Sequence, residues 1–411
     1  MKKLKYLFIF IILLLTGCKL YDEYKMPEEV NISLNENKFK VYSKISINDL
    51  ISEKNVEILN KDKILNTNKT GNKETEIEYK YKKRTYKYKV TYDVIDDEKP
   101  FIMKSSGYKS TNINEEINLC DDVQVIDNYD RSPKCSINGE YDFTKAGIYN
   151  LKYQIKDKAN NVTEEDFVLE VIDNTIIPEE TTPQEETNEE ENTNEPEEEY
   201  EFTYTLFDDL EKNYKTKDTM LGIDVSAWQG NIDFNKVKED GCEFVIIRMA
   251  YNLEDDKEIY LDKYFTENLK NAKKAGLKVG VYVYTNASTK EDAIKQAKFI
   301  KKNLNKTKLD FPIAYDFENW SNFNSLKMNS HDLLSRVDEY KSVLKEDGYD
   351  VMIYGSKWYL ENVWLPNEYD TWLAHYTDQT DYSGKYKIWQ IASDGIIDGI
   401  DGYVDFDIMY K

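Results

Sequence analysis

The chain reads as a multidomain protein: β-rich modules, an acidic linker, then an α/β domain shaped as a compact, incomplete β/α barrel. Three observations predict this. Short runs of alternating polar and apolar residues recur from about Met26 to Asn174, the period of half-buried strands. A Glu-rich stretch follows. Beyond it, apolar runs alternate with amphipathic ones, the pattern of parallel strands joined by helices. A length of 411 residues also exceeds one ordinary domain.

The first residues are an address rather than part of the fold. Lys2, Lys3 and Lys5 precede an apolar run from Tyr6 to Leu15. That run is too short for a membrane-spanning helix of ~20 residues. Leu15-Thr16-Gly17-Cys18 follows and resembles a bacterial lipobox. The resemblance implies that residues 1–17 are a lipoprotein signal peptide. Cys18 would then carry a diacylglyceryl group and hold the protein on the extracellular face of the cell membrane. An ordinary cleaved signal peptide and an uncleaved anchor are the alternatives. Acyl chains contribute roughly 0.8 kcal/mol per buried CH₂, so several on one Cys hold firmly.

Composition excludes some classes of function. A net charge of −23 and a pI near 4.7 argue against nucleic acid as a partner. With only 2 His and no CxxC pair, a multi-histidine or zinc-ribbon metal site is not available. Tyr is frequent, at 33 residues. Catalysis, if present, must rest on carboxylates and tyrosines. In an exported protein, Cys120 and Cys135 are candidates for a disulfide, although spacing alone does not decide it. Cys242 opens an apolar run and reads as a buried free thiol.

The β-rich region divides into two units, 18–97 and 98–174. Val94-Ile95-Asp96-Asp97 closes the first and Val171-Ile172-Asp173-Asn174 the second. The second contains Ala146-Gly-Ile-Tyr-Asn-Leu-Lys-Tyr-Gln-Ile-Lys-Asp-Lys-Ala-Asn-Asn-Val162. This resembles the signature of bacterial surface immunoglobulin-like modules, with Asn160 at the usual turn glycine. Asn tolerates the left-handed conformation better than most residues. The resemblance implies a β-sandwich at 98–174 and a degenerate relative at 18–97, acting as spacers or weak adhesion units. Residues 175–218 read as an acidic disordered linker. Twelve Glu lie between Glu179 and Glu201, with no Lys or Arg, so the stretch repels itself and lacks apolar residues to bury.

From 219 to 411 the strands fall at Leu221–Val225, Phe244–Met249, Val279–Tyr284, Pro312–Glu318, Val351–Tyr354, Thr371–Ala374, Lys387–Ile391 and Val404–Ile408. Helices fit at Tyr264–Ala275, Lys290–Leu304 and Ser330–Asp347. Little room for helices remains between the last three strands. In β/α barrels the reactive groups sit at the C-terminal ends of the strands. Asp224, Tyr282, Tyr284, Asp316, Glu318, Tyr354 and Gln390 occupy such ends, Tyr376 follows one, and Asp405 lies on the last strand. Asp316 and Glu318 stand two apart, roughly 6.5–7 Å along one strand face. Acids on an apolar strand are costly to bury without a purpose. Carboxyl pairs about 5–10 Å apart are the working parts of glycoside hydrolysis. Clustered like charges raise at least one pKa, as a general acid requires. Arg248 reads as an interior counter-charge.

Several segments in this region are similar to glycoside hydrolase family 25, the Chalaropsis-type muramidases. They are Gly222-Ile-Asp224-Val-Ser-Ala-Trp-Gln229-Gly230-Asn-Ile-Asp233, Phe244-Val-Ile-Ile-Arg248, Asn271 to Tyr282, Pro312-Ile-Ala-Tyr-Asp316-Phe-Glu318, Trp372-Leu-Ala-His-Tyr376, Trp389-Gln390 and Gly402-Tyr-Val-Asp405. Asp407 departs from the family's usual Asn, and His375 occupies a variable position. The resemblance implies cleavage of the β-1,4 bond between N-acetylmuramic acid and N-acetylglucosamine in peptidoglycan glycan strands. It implies no metal or organic cofactor. Glu318 would be the general acid. Asp316 would orient the substrate's 2-acetamido group, whose carbonyl oxygen attacks the anomeric carbon. An inverting route with Asp316 as base is the alternative. Asp224 and Asp405 would shape the field and hold the sugar or a water. Tyr282, Tyr354, Tyr376 and Gln390 would contact sugar, tyrosine offering a flat face and a hydroxyl. A wall-binding or adhesion lipoprotein without activity is the other reading; the four intact acids favour the enzyme.

Overall fold

The structure, a computed structural model, describes residues 26–35, 37–173, 204–253, 258–318, 323 and 325–411. The expected signal peptide (1–17), Cys18 and most of the acidic stretch lie outside these residues. No helix among the described residues is long and apolar enough to cross a membrane. The chain forms two compact units.

The first unit takes in residues up to Lys99 together with Lys156–Val162. Its centre is the long antiparallel hairpin of Gly71–Tyr81 with Arg84–Ile95. Ile77 and Tyr79 are fully buried while Glu76 and Glu78 face outward, the alternation expected of a strand with one solvated face. Strands Lys38–Lys40 and Glu57–Ile58 flank the hairpin, and Ile32–Leu34 with Ile51–Lys54 form a separate two-stranded sheet. In Lys156–Val162, Asn160 takes φ 76°, the left-handed turn conformation its sequence position suggests.

The second unit spans Pro100–Ile155 and Thr163–Lys411, so the second β module and the barrel share it. The module repeats the plan of the first. A four-stranded sheet (Lys134–Asn138, Gly147–Lys156, Val162–Ile172, Tyr108–Asn112) accompanies a two-stranded one (Phe101–Lys104, Gln124–Ile126). Leu151, Tyr153, Phe167 and Leu169 fill its core, with the Tyr153 and Phe167 rings stacked 4.0 Å apart. Cys120 and Cys135 are disulfide-bonded there.

The stretch 175–218 does not run as linker to its end. Thr205–Leu206 pairs with a barrel strand, and helix α1 (Phe207–Tyr214) packs Phe207 and Leu210 into the barrel's core. The abundance of acids upstream masks this short amphipathic turn. An i, i+3 apolar pair suffices to dock it.

The barrel is a closed ring of eight strands. Seven run parallel: β1 (Thr219–Val225), β2 (Phe244–Tyr251), β3 (Lys278–Tyr284), β4 (Ile313–Asp316), β5 (Val351–Ser356), β6 (Asp370–Ala374) and β7 (Ile388–Ile396). The last, β8 (Val404–Tyr410), is antiparallel to both β7 and β1 and seals the ring. Helices α2 (Phe234–Glu239), α3 (Phe265–Ala275), α4 (Lys290–Leu304), α5 (Ser330–Lys345) and α6 (Lys357–Asn362) fill the first five crossovers. No helix separates β6, β7 and β8 among the described residues, so the barrel is incomplete in its helices and not in its strands.

Period-2 alternation divides the strand residues between two cores. Met220, Phe244, Ile246, Ala314, Met352, Ile388 and Met409 fill the barrel's interior. Ile223, Val245, Val281, Ile313, Tyr315, Ile353 and Leu373 face the helices. Each such side chain contributes roughly 1.5–3 kcal/mol on burial. The interior admits the Phe244 ring because Gly222 opposes it; a Cβ at Gly222 would lie 2.5 Å from that ring.

Candidate active site

Sheet register brings the acids together. Strand β1 delivers Asp224, and antiparallel β8 sets Asp405 directly across from it. Strand β4 ends at Asp316, two residues earlier than the strand read from sequence, and Glu318 follows on the exposed side. The alternation holds: Ala314 points into the barrel while Ile313, Tyr315 and Phe317 join the outer core. Asp316 pairs in register with Tyr284 on β3 and Tyr354 on β5. All of these line one cleft of about 320 Å³, together with Tyr282, Tyr376 and Gln390. The eight residues singled out as catalytic or sugar-contacting therefore share one cleft.

Hydrogen bonds order its floor. The Tyr354 and Tyr376 hydroxyls donate to Gln390 Oε1 at 2.9 and 3.0 Å. With Oε1 occupied as an acceptor, Gln390 turns its Nε2 to Asp224 Oδ2, which accepts at 2.7 Å. Asp224 is thus held by the amide of a residue 166 positions away. Burial pushes the Tyr282 and Tyr354 hydroxyls well up, which keeps them protonated donors.

The carboxyls are in conflict with one another. Burial, then Asp405 and Asp407, push Asp224 well above the usual carboxylate range. Burial and the neighbouring Glu318 do the same to Asp316. Burial, then Glu318, brings Asp405 to about 6. A proton therefore stays on this cluster under conditions where isolated carboxyls are ionised. Among the described residues no donor reaches the buried Asp316 Oδ1, and the Asp316 and Glu318 carboxyls are close enough to share a proton.

Asp407 is a member of the cluster that the sequence marked only as a departure. It is fully buried under Asp224, accepts from Trp372 Nε1 at 2.8 Å, and is pushed well above the carboxylate range, chiefly by burial. Because the folded chain holds this proton more tightly, it binds more protons than the unfolded chain at every pH between the ordinary Asp value and the raised one. The stabilisation is complete at low pH and lost as pH rises. Asp407→Asn keeps an acceptor for Trp372 and carries no charge. It is expected to stabilise the barrel by about 1–3 kcal/mol at pH 8 and by almost nothing near pH 4. Urea melts at the two pH values check this; an equal effect at both would refute the protonation argument.

Sequence reasoning missed other lining residues: Ser226, Trp228, Gln229 and Trp372. Trp228 is 86% exposed, on a short turn at the cleft. An apolar ring in a Ser-Ala-Trp-Gln-Gly turn was the available signal. Arg248 was read as an interior counter-charge. It does pair with buried Asp262, at 2.8 Å, yet it also lines the cleft and lowers the Asp316 pKa.

Residues 223–400 match the family described as Glycosyl hydrolases family 25. The uncharacterized protein YegX of Escherichia coli (strain K12) is 32% identical over 195 residues, covering 46% of this chain and 69% of that protein. The chain belongs to glycosyl hydrolase family 25. The autolytic lysozyme of Clostridium acetobutylicum is 30% identical over 191 residues, 46% of this chain and 55% of that one. A solved family 25 glycosyl hydrolase from Bacillus anthracis is 24% identical and covers 48% of this chain and 92% of its own, with a TM-score of 0.41. As a family 25 member, the protein is a glycosidase. The matched span runs from β1 almost to β8, so the acids at the ends of β1 and β4 lie within it and Asp405 just beyond.

Proposed function

We propose that the protein is an N-acetylmuramidase that cleaves the β-1,4 bond between N-acetylmuramic acid and N-acetylglucosamine. The observation that carries this reading is the gathering of Asp316 and Glu318 with Asp224 and Asp405 in one cleft of a family 25 barrel. Glu318 protonates the departing glycosidic oxygen. Asp316 receives the 2-acetamido N–H on Oδ1, an oxygen that no donor among the described residues reaches, and so turns the acetamido carbonyl toward the anomeric carbon. A buried acceptor without a partner is costly, and a substrate donor removes that cost only when bound. Asp224 and Asp405 shape the field of the cleft and hold the sugar or a water. Tyr282, Tyr354, Tyr376 and Gln390 hold the sugar. The inverting alternative gives Asp316 a water to activate instead.

The whole chain incubated with purified peptidoglycan tests this. Turbidity is expected to fall, and the new reducing ends to be N-acetylmuramic acid. N-acetylglucosamine ends would overturn the bond assignment, and no clearing would favour a wall-binding role.

The same reading places the enzyme at the cell surface. Lys2, Lys3, Lys5, the apolar run and Leu15–Cys18 support lipidation of Cys18. The β modules, each with a four- and a two-stranded sheet, are consistent with immunoglobulin-like spacers, and residues 175–203 serve as tether. Cys18→Ala is expected to abolish incorporation of labelled palmitate and to move the protein from the membrane pellet to the soluble fraction. Unchanged labelling would exclude Cys18 as the acceptor.

A further inference from the structure

A second pocket adjoins the catalytic cleft. It measures about 650 Å³ and shares Glu318, Tyr354 and Tyr376 with that cleft, so the two are continuous past the proposed proton donor. Trp358 and Tyr359 add further aromatic surface, and Lys357 and His375 add polar groups at the same walls. Flat rings interleaved with polar groups suit a pyranose, which has an apolar face and a hydroxylated rim.

Trp358 sits on α6, a helix of only six residues. Its ring packs against Tyr359 at 4.9 Å and against Phe101 at 5.4 Å. Phe101 belongs to the β module, not to the barrel. The module is fastened close by. Ile126 joins the barrel's outer core. Ser330 N donates to the Asp127 carbonyl at 3.0 Å, and Asn329 Nδ2 to the Tyr129 carbonyl at 2.6 Å. Arg131 forks onto Asp332 at 2.5 and 2.7 Å. These contacts meet the start of α5, the helix that follows the Glu318 loop. Module and barrel belong to one compact unit.

We propose that this pocket is an additional glycan-binding subsite on the Glu318 side of the cleft, and that the β module sets its shape through Phe101 packed on Trp358. The proposal rests on the muramidase reading. Trp358 lines this pocket and not the catalytic cleft, so a sugar ring stacked on it gains equally in ground and transition state. Their loss raises KM and leaves kcat alone.

The test measures kcat and KM of the whole chain on glycan strands of four sugars and of eight or more, prepared from one wall. Wild type is expected to show a lower KM on the longer strands. Trp358→Ala is expected to raise that KM roughly five- to tenfold. Phe101→Ala is expected to raise it about threefold with kcat unchanged, and Phe101→Leu to restore most of it. Phe101 acts through Trp358 and is a positioning residue, which the split between KM and kcat reports. Wild-type activity with no length advantage, or variants that keep the full advantage, would overturn the subsite alone. Equal loss of kcat on both lengths would mark Phe101 as merely structural and overturn the module's role. Wild type inactive on both lengths would overturn the muramidase reading and the subsite with it.

Discussion

Glu318→Gln is expected to lower kcat on peptidoglycan by about 10²–10⁴-fold, the contribution of a positioned general acid. The amide matches the carboxyl in shape but has no proton to give the departing oxygen. Glu318 lies on the exposed side of the cleft just past β4, so the substitution removes no core contact. Thermal stability should stay within about 0.5 kcal/mol of wild type, as for surface changes generally. KM should be nearly unchanged, because the lost interaction is made only in the transition state. Reducing-end release at saturating substrate gives kcat. A variant with wild-type turnover would remove Glu318 from the mechanism.

Asp316→Asn is expected to lower kcat by about 10²–10³-fold, the order found when a group aimed at developing charge is removed. An amide still offers an oxygen to the acetamido N–H but brings no negative charge. The same substitution should stabilise the free enzyme. Asp316 is buried beside Glu318 and its pKa is raised by both. Its native-state proton is therefore lost only at higher pH than in the unfolded chain, and stability declines as pH climbs through that window. Asn removes the charge and the decline. Stability curves of the variant and wild type should converge near pH 4 and diverge by about 1–3 kcal/mol toward pH 8. A less stable variant at pH 8 would show that Asp316 is held ionised by partners of its own. Lower activity with higher stability is the pattern of a site whose strain serves catalysis.

The acid pair was legible because its information is local. Strand period, the abrupt appearance of two acids on an apolar run, and the turn that follows are all read within ten residues of Pro312. The cleft-lining tyrosines were legible for the same reason. Asp407 was harder. Its neighbours in sequence describe a strand, and only the antiparallel pairing of β8 with β1 puts it beneath Asp224. Helix α1 was hidden by the charge of the stretch before it. The exposed Trp228 was visible as a residue but had no strand end to assign it to.

By itself, the sequence determined the eight-strand barrel, the two β units and the acids at strand ends. Each follows from residue periods and short-range chemistry that act within one element. The tertiary structure decided what those elements do together. It closed the ring with a single antiparallel strand, so that Asp405 faces Asp224. It tied Gln390 between two tyrosines and an acid. It also seated the second β module on the barrel, where Arg131 grips Asp332 from 201 positions away. Such contacts depend on which surfaces meet after the chain has folded, and no local pattern specifies them.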